Sequence, residues 1–327
     1  RVNQSQSLAH KPILIMTISK EFRRKDGGIK FNFAPANEEE LKECLSDPLW
    51  RICSGALYKI IIKGDDGEDG LVMPFIPNRA QKRLLKALWH RNVILKARQL
   101  GFTTLVCIVW LDTALFSENM RCGIIAQDRE AAEVIFRDKV KFAYENLPEE
   151  LKAAMPLARD SASELLFAHN NSSIRVATSM RSGTIHRLHI SEFGKICAKY
   201  PDKAKEVITG SIPAVPKSGI LIIESTAEGR DGEFYDITMR AKALYDSKSE
   251  LTVRDYKFHF FAWWDAPEYE MPVDSVKLTD KDLAYFERIE SQINQPISPE
   301  KRAWYVATRE ADFRKKKKKM WQEYPST

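Results

Sequence analysis

The amino-acid sequence predicts an α/β fold, with a mainly parallel central sheet flanked by helices and a small C-terminal helical or linker subdomain. Two observations predict it. Between residues 71 and 250, short apolar runs of strand length alternate with longer runs of helical period. Polar and acidic residues follow several of the apolar runs at their C-terminal ends, where parallel sheets collect ligands.

The elements follow in order. Residues 1–70 read as an N-terminal arm and a small helical region. The arm mixes charge with glycine ("RRKDGGIK"), "ANEEELKECLSDPLWRICSGA" is amphipathic, and "KGDDGEDG" is an acidic, turn-rich loop. Residues 71–250 read as the core. There "RNVILKA" is a strand and "TTLVCIVWLDTALFS" a helix apolar on most faces, hence buried. "RCGIIAQ" is the next strand and "REAAEVIFRDKVKFAYENL" the next amphipathic helix. "ELLFA" and "SIRVAT" flank "HNNS" as a hairpin. "HRLHISE" and "GILIIEST" are two further strands with a helical stretch, "DKAKEVIT", between them. Residues 251–327 change character. "YKFHFFAWW" is an aromatic strand. "TDKDLAYFERIESQI" and "SPEKRAWYVATREADF" are helices opened by a Thr and a Ser cap.

A chain of 327 residues with 44% hydrophobic and 29% charged content can bury a sizeable core. The longest apolar run, "LVCIVWLDTALF", is too short to span a membrane and is broken by Asp112. The start is polar, with no secretory signal, and a chain that opens on Arg1 is expected to be a fragment. Five scattered cysteines without C-x-x-C read as reduced thiols, and six histidines show no zinc spacing. The net charge is +6, but "RKKKKK" (314–319) carries all of the excess; without it, basic and acidic residues balance at 45 each. That run is a solvated helix end or a contact to phosphate backbone.

The chemistry gathers at four places. "LKARQLGFTT" resembles the phosphate loop G-x-x-x-x-G-K-[ST], with Gly101 and Thr103 in place, Phe102 at the lysine position and Lys96 at the first glycine position. A strand–turn–helix start suits an anion, and Thr103 or Thr104 can offer Mg²⁺ a hydroxyl. "RLHISEF" ends in Ser191 and Glu192; Glu192 can orient or deprotonate water, while Ser191 stands where an Asp usually holds the metal shell. Ser225, Thr226 and Ala227 in "GILIIESTAEG" are placed to sense a γ-phosphate, or form a serine–threonine turn. Gln81 can read an adenine edge, or is a helix-surface glutamine.

In this order the motifs resemble the large terminase subunit of tailed bacteriophages, the DNA-packaging motor, over roughly residues 75–327. "ARQLGFTT" resembles that family's Walker A loop in the variant whose lysine sits at the loop's start, so Lys96 takes the lysine's part. "HISEFG" resembles its acidic motif, with Ser191 for the common Asp, and "ESTAEG" its coupling motif. "MRSG" places Arg181 where the family has an arginine; Gly183 permits an exposed turn from which Arg181 reaches a neighbouring subunit, or it pairs with a carboxylate of its own chain. The resemblance implies a P-loop ATPase using ATP and Mg²⁺. Lys96, Ala97, Arg98, Gln99, Leu100, Gly101, Phe102, Thr103 and Thr104 would form the phosphate loop. Thr103 and Ser191 would face the metal, Glu192 would position water, and Gln81 would meet adenine. It further implies double-stranded DNA, portal protein, procapsid and small terminase subunit as partners, a homo-oligomeric ring, and the cytoplasm of an infected bacterium. The family's nuclease domain has no counterpart here, so a chain cut at the domain boundary is expected. Two alternatives remain at this point: a helicase- or translocase-type ATPase, and a degenerate loop that binds DNA without hydrolysis.

Overall fold

The computed structural model describes residues 18–62, 70–181, 183–314 and 316–327. The first 17 residues of the arm, the acidic loop through Asp69, Ser182 and Lys315 lie outside the described residues. The strands are β1 (Lys59–Ile62), β2 (Leu71–Pro74), β3 (Arg91–Lys96), β4 (Arg121–Ile125) and β5 (Leu157–Asp160), then β6 (Glu164–Phe167), β7 (Ser173–Ala177), β8 (Arg187–Ser191), β9 (Ile220–Ser225) and β10 (Tyr256–Phe261).

Eight of them form one sheet in the order β10-β3-β9-β8-β4-β7-β6-β5. The pairings from β10 to β7 are all parallel, and β6 and β5 add an antiparallel edge. The α/β class with a mainly parallel sheet is therefore what forms. The parallel strands carry Val, Ile and Leu on both faces because helices cover both sides. The "HNNS" turn does join an antiparallel pair, β6 and β7. Sequence patterning missed three strands. β5 ("LARD") is an edge strand exposed over most of its length, and β1 and β2 form a separate exposed ribbon, so none carries a clear buried face. β10, from the aromatic run beyond residue 250, lies within the main sheet beside β3.

The helix Phe102–Phe116 leaves the end of β3 and is buried on most sides, as its composition predicts. Its one charge, Asp112, is met by Arg51 from the small N-terminal helices at 2.8 and 2.7 Å and by the Tyr58 hydroxyl at 2.7 Å. Such a bidentate buried pair fixes the N-terminal region against the core. The helix after β4 changes to a π-helical stretch over Phe136–Lys141, a device that re-aims side chains. Thr279 and Ser298 cap the two C-terminal helices, Asp280–Ile293 and Pro299–Asp312, as their sequences signal. Part of the basic run opens the last helix, Lys317–Glu323, in which Met320 is fully buried. All five cysteines are free, and burial pushes the thiols of Cys107 and Cys122 up to about 12, so neither is a reactive thiolate near neutral pH. No helix among the described residues is long and apolar enough to cross a membrane.

Candidate functional site

Because β3, β9 and β8 are neighbours, their C-terminal ends lie side by side. The parallel register sets Ser191 opposite Glu224, and Ile94 opposite Glu224 on the other flank. Lys96 lies two residues beyond Ile94 and so shares its face. Its ammonium sits 3.0 Å from Glu192 Oε1 and 3.1 Å from Glu224 Oε2. Burial opposes the charge on Lys96, but Glu224 and Glu192 outweigh it and hold its pKa above the usual value.

The loop that follows is hung from the C-terminal part of the chain. The Ala97 N–H donates to Phe261 O at 2.8 Å, the Arg98 N–H donates to Glu323 O at 3.1 Å, and the Tyr269 hydroxyl donates to Arg98 O. Gln99 and Gly101 adopt positive φ, 57° and 70°. At Gly101 a Cβ would also meet the Gln81 amide at 2.7 Å, so glycine is needed there twice over. The helix then starts at Phe102 with no side-chain cap, which leaves its N-terminal dipole to an external anion. Phe102 is 1% exposed and its ring lies 4.5 Å from that of Phe261, so this side chain packs in the core.

A cavity of roughly 270 Å³ opens on this loop. Its walls include Lys96, the loop from Gln99 to Thr104, Gln127, Lys139, Ser191 and Glu192. Thr103 Oγ1 and Ser191 Oγ each donate to Glu224 Oε1 at 2.9 Å. Lys139, from the π-helical stretch, donates to Thr104 Oγ1 at 2.9 Å. Glu192 takes a left-handed conformation, φ 53°, and its second oxygen lies 3.0 Å from Lys195. Ser225 and Thr226 are buried beside it, and neither hydroxyl has a hydrogen-bond partner among the described residues. Gly194, at the start of the next helix, lets that helix approach closely; a Cβ there would fall 2.8 Å from Ser225 Oγ and 3.1 Å from Thr226 O. The helix start after Glu192 is thus packed closely on the Ser225 side chain and the Thr226 carbonyl. Ala227 donates its N–H to Gln322 O at 3.1 Å.

Lys96, Thr103, Thr104, Ser191 and Glu192 therefore meet at one cavity. Of the other sequence candidates, Ala97, Ser225, Thr226 and Ala227 do not line this cavity, and Gln81, Arg98 and Arg181 are engaged elsewhere. The Gln81 side chain completes a capping box with Asn78 and donates to Gly101 O at 2.8 Å, so both ends of its amide are engaged behind the loop. Arg98 is half exposed and faces Glu323 at 3.6 Å. Arg181 is outside the cavity wall and pairs with Glu206 at 2.6 Å on an exposed surface. Sequence reasoning passed over Glu224 and Lys139. Glu224 was detectable as a carboxylate inside the apolar run "ILIIES", where a charge is costly unless paired. Lys139 had no such signal, because it reaches the cavity through the π-helical shift.

Solved structures with this architecture exist. The large-terminase ATPase domain of Thermus phage P74-26 matches with a TM-score of 0.51 at 17% identity, over 77% of this chain and 94% of that one. The large terminase of bacteriophage HK97 matches with a TM-score of 0.53 at 16% identity, over 84% of this chain and 54% of that one. The chain shares the fold of phage large-terminase ATPase domains. At these identities the likeness is one of fold. No protein-family model and no curated protein matches the sequence. An uncapped helix start, a buried lysine, two threonines, a serine and a carboxylate line the cavity together, with Thr103 Oγ1 3.4 Å from Ser191 Oγ.

Proposed function

We propose that the chain is the ATPase portion of a phage large terminase, which binds ATP with Mg²⁺ and couples hydrolysis to moving double-stranded DNA into a procapsid. The convergence of Lys96, Thr103, Ser191 and Glu192 at one cavity carries this reading. The helix start at Phe102 and the Lys96 ammonium take phosphate oxygens, with Arg98 adding positive charge at the loop's outer side. Thr103 and Ser191 would face Mg²⁺, which when bound would screen the phosphate charge. Moving Lys96 onto phosphate frees Glu192 Oε1, and that oxygen then aligns the attacking water and accepts its proton. Ser225, Thr226 and Ala227, packed against the helix after Glu192, pass the change to the rest of the chain. For Gln81 to meet the adenine edge, its amide has to release Gly101. The partners that go with this function are the portal of the procapsid, a small terminase subunit and further copies of the chain in a ring, acting in the infected host's cytoplasm.

Turnover of radiolabelled ATP, with and without double-stranded DNA, tests the reading. Wild-type turnover is expected to rise with DNA. Glu192→Gln is expected to keep nucleotide binding and to lose turnover by about an order of magnitude or more. Parental turnover by Glu192→Gln in an active assembly would reject the catalytic assignment. DNA binding without any turnover would favour the degenerate-loop alternative.

A further inference from the structure

Ser191 stands where a phosphate-loop ATPase commonly has an aspartate, and a serine brings no charge to a cation. The nearest replacement is on the adjacent strand. Glu224 is fully buried, and its register partner across β8–β9 is Ser191 itself. One of its oxygens, Oε1, accepts from both Thr103 Oγ1 and Ser191 Oγ at 2.9 Å. Each hydroxyl has one proton and two lone pairs. Donating inward to Glu224 spends the proton and leaves the lone pairs for a cation at the cavity, which both residues line. The other oxygen, Oε2, balances Lys96 at 3.1 Å, and His189 Nε2 lies 3.5 Å from Oε1.

We infer that Glu224 is the positioning residue for Mg²⁺: it orients the Thr103 and Ser191 hydroxyls and supplies, from the neighbouring strand, the negative charge that Ser191 lacks. Both charges missing from the usual loop and acidic motif are then restored by neighbours, Lys96 for Phe102 and Glu224 for Ser191. Mg²⁺ keeps several waters and needs only one or two carboxylates beside the substrate phosphates, so a single carboxylate behind two hydroxyls is adequate. Partners that orient metal-facing groups in this way are typically worth about 10- to 100-fold in metal affinity.

This rests on the nucleotide reading above, and the test separates the two. Binding of a fluorescent ATP analogue is measured while Mg²⁺ is titrated, and again in EDTA. Glu224→Gln is expected to raise the Mg²⁺ needed for half-saturation by about 10-fold or more, with affinity in EDTA little changed. Ser191→Asp added to Glu224→Gln is expected to recover most of the Mg²⁺ response, because it returns a carboxylate to the site. If Glu224→Gln fails to fold, Ser191→Ala alone carries the test, since it removes one of the two oriented hydroxyls and has to raise the Mg²⁺ requirement. A Glu224→Gln protein that folds and keeps the wild-type Mg²⁺ response overturns the inference. So does an equal loss with and without Mg²⁺, which would mark Glu224 as only the counter-charge of Lys96. A wild-type chain that binds no analogue at any Mg²⁺ overturns the nucleotide reading itself.

Discussion

Lys96 and Phe102 are six residues apart and do opposite work. Lys96 is buried between two carboxylates, whereas Phe102 is buried against Phe261 in the core. Truncating each to alanine therefore separates charge from packing. Lys96→Ala is expected to weaken nucleotide binding and abolish turnover, and also to leave Glu192 and Glu224 without their shared cation, a kind of change that typically costs about 3–5 kcal/mol. Phe102→Ala is expected to lower stability by about 3–5 kcal/mol through its cavity while changing nucleotide affinity less. Urea melts and equilibrium nucleotide binding on the folded proteins measure the two effects. A larger loss of affinity in Phe102→Ala would end the assignment of Lys96 as the displaced loop lysine.

Among the elements, β10 bears directly on the site although it contributes no group to the cavity wall. It is the sheet's edge strand beside β3, and Phe261 at its end receives the first hydrogen bond of the loop. Asn92, fully buried on β3, ties three strands together: it accepts from His259 Nε2 at 3.0 Å and donates to Leu221 O at 3.1 Å. Burial, with Lys257 and Arg83 adding to it, pulls the His259 pKa down to about 4 from the usual 6.5. In the unfolded chain this imidazole takes a proton below about 6.5, in the folded chain not until about 4. The unfolded state binds more protons in that window, so stability falls as pH drops from about 6.5 toward 4, by on the order of 3 kcal/mol in all. His259→Gln keeps a donor for Asn92 and removes the titration. Urea melts at several pH values are expected to show a flatter profile for this variant between pH 6.5 and 4. An unchanged slope would move the effect to another group.

At the scale of the whole molecule, the C-terminal segment closes over the site's back. Glu323 and Gln322 receive N–H groups from Arg98 and Ala227, so the last helix touches the loop after β3 and the Ser225–Ala227 segment together. Lys319, from the basic run, lies 3.1 Å from Glu228 and 3.0 Å from Glu323, so that lysine is paired within the chain. Arg181 lies on a different surface, paired with Glu206 but mostly exposed, and solvent screens exposed pairs of this kind so that they hold weakly. If the proposed ring forms, so weak a pair would leave the arginine free to meet a neighbouring subunit's phosphate. Mixing Arg181→Ala subunits with Glu192→Gln subunits tests a trans role. Each alone is expected to be nearly inactive, and mixed rings are expected to regain activity where an intact Arg181 meets an intact Glu192. Mixed rings that form but hydrolyse no faster than their components would confine Arg181 to its own chain.

The parallel strands, the buried helix after the loop, the β6–β7 hairpin and the helix caps were all legible in the sequence, because each depends on spacing within a few residues. So was the meeting of Ser191 and Glu192 with Thr103 at one edge, because the first two lie at the end of an apolar strand of a parallel sheet and Thr103 opens the helix that follows another. What only the tertiary structure decided was which charges face which. Strand order set Glu224 beside both Ser191 and Lys96, from 33 and 128 residues away in the chain. A π-helical shift brought Lys139 to Thr104, and the capping box turned Gln81 toward Gly101. The physical reason is range: hydrophobic period and capping are local and are written along the chain, whereas a buried charge is stabilised by partners that come within about 4 Å only once the sheet has assembled.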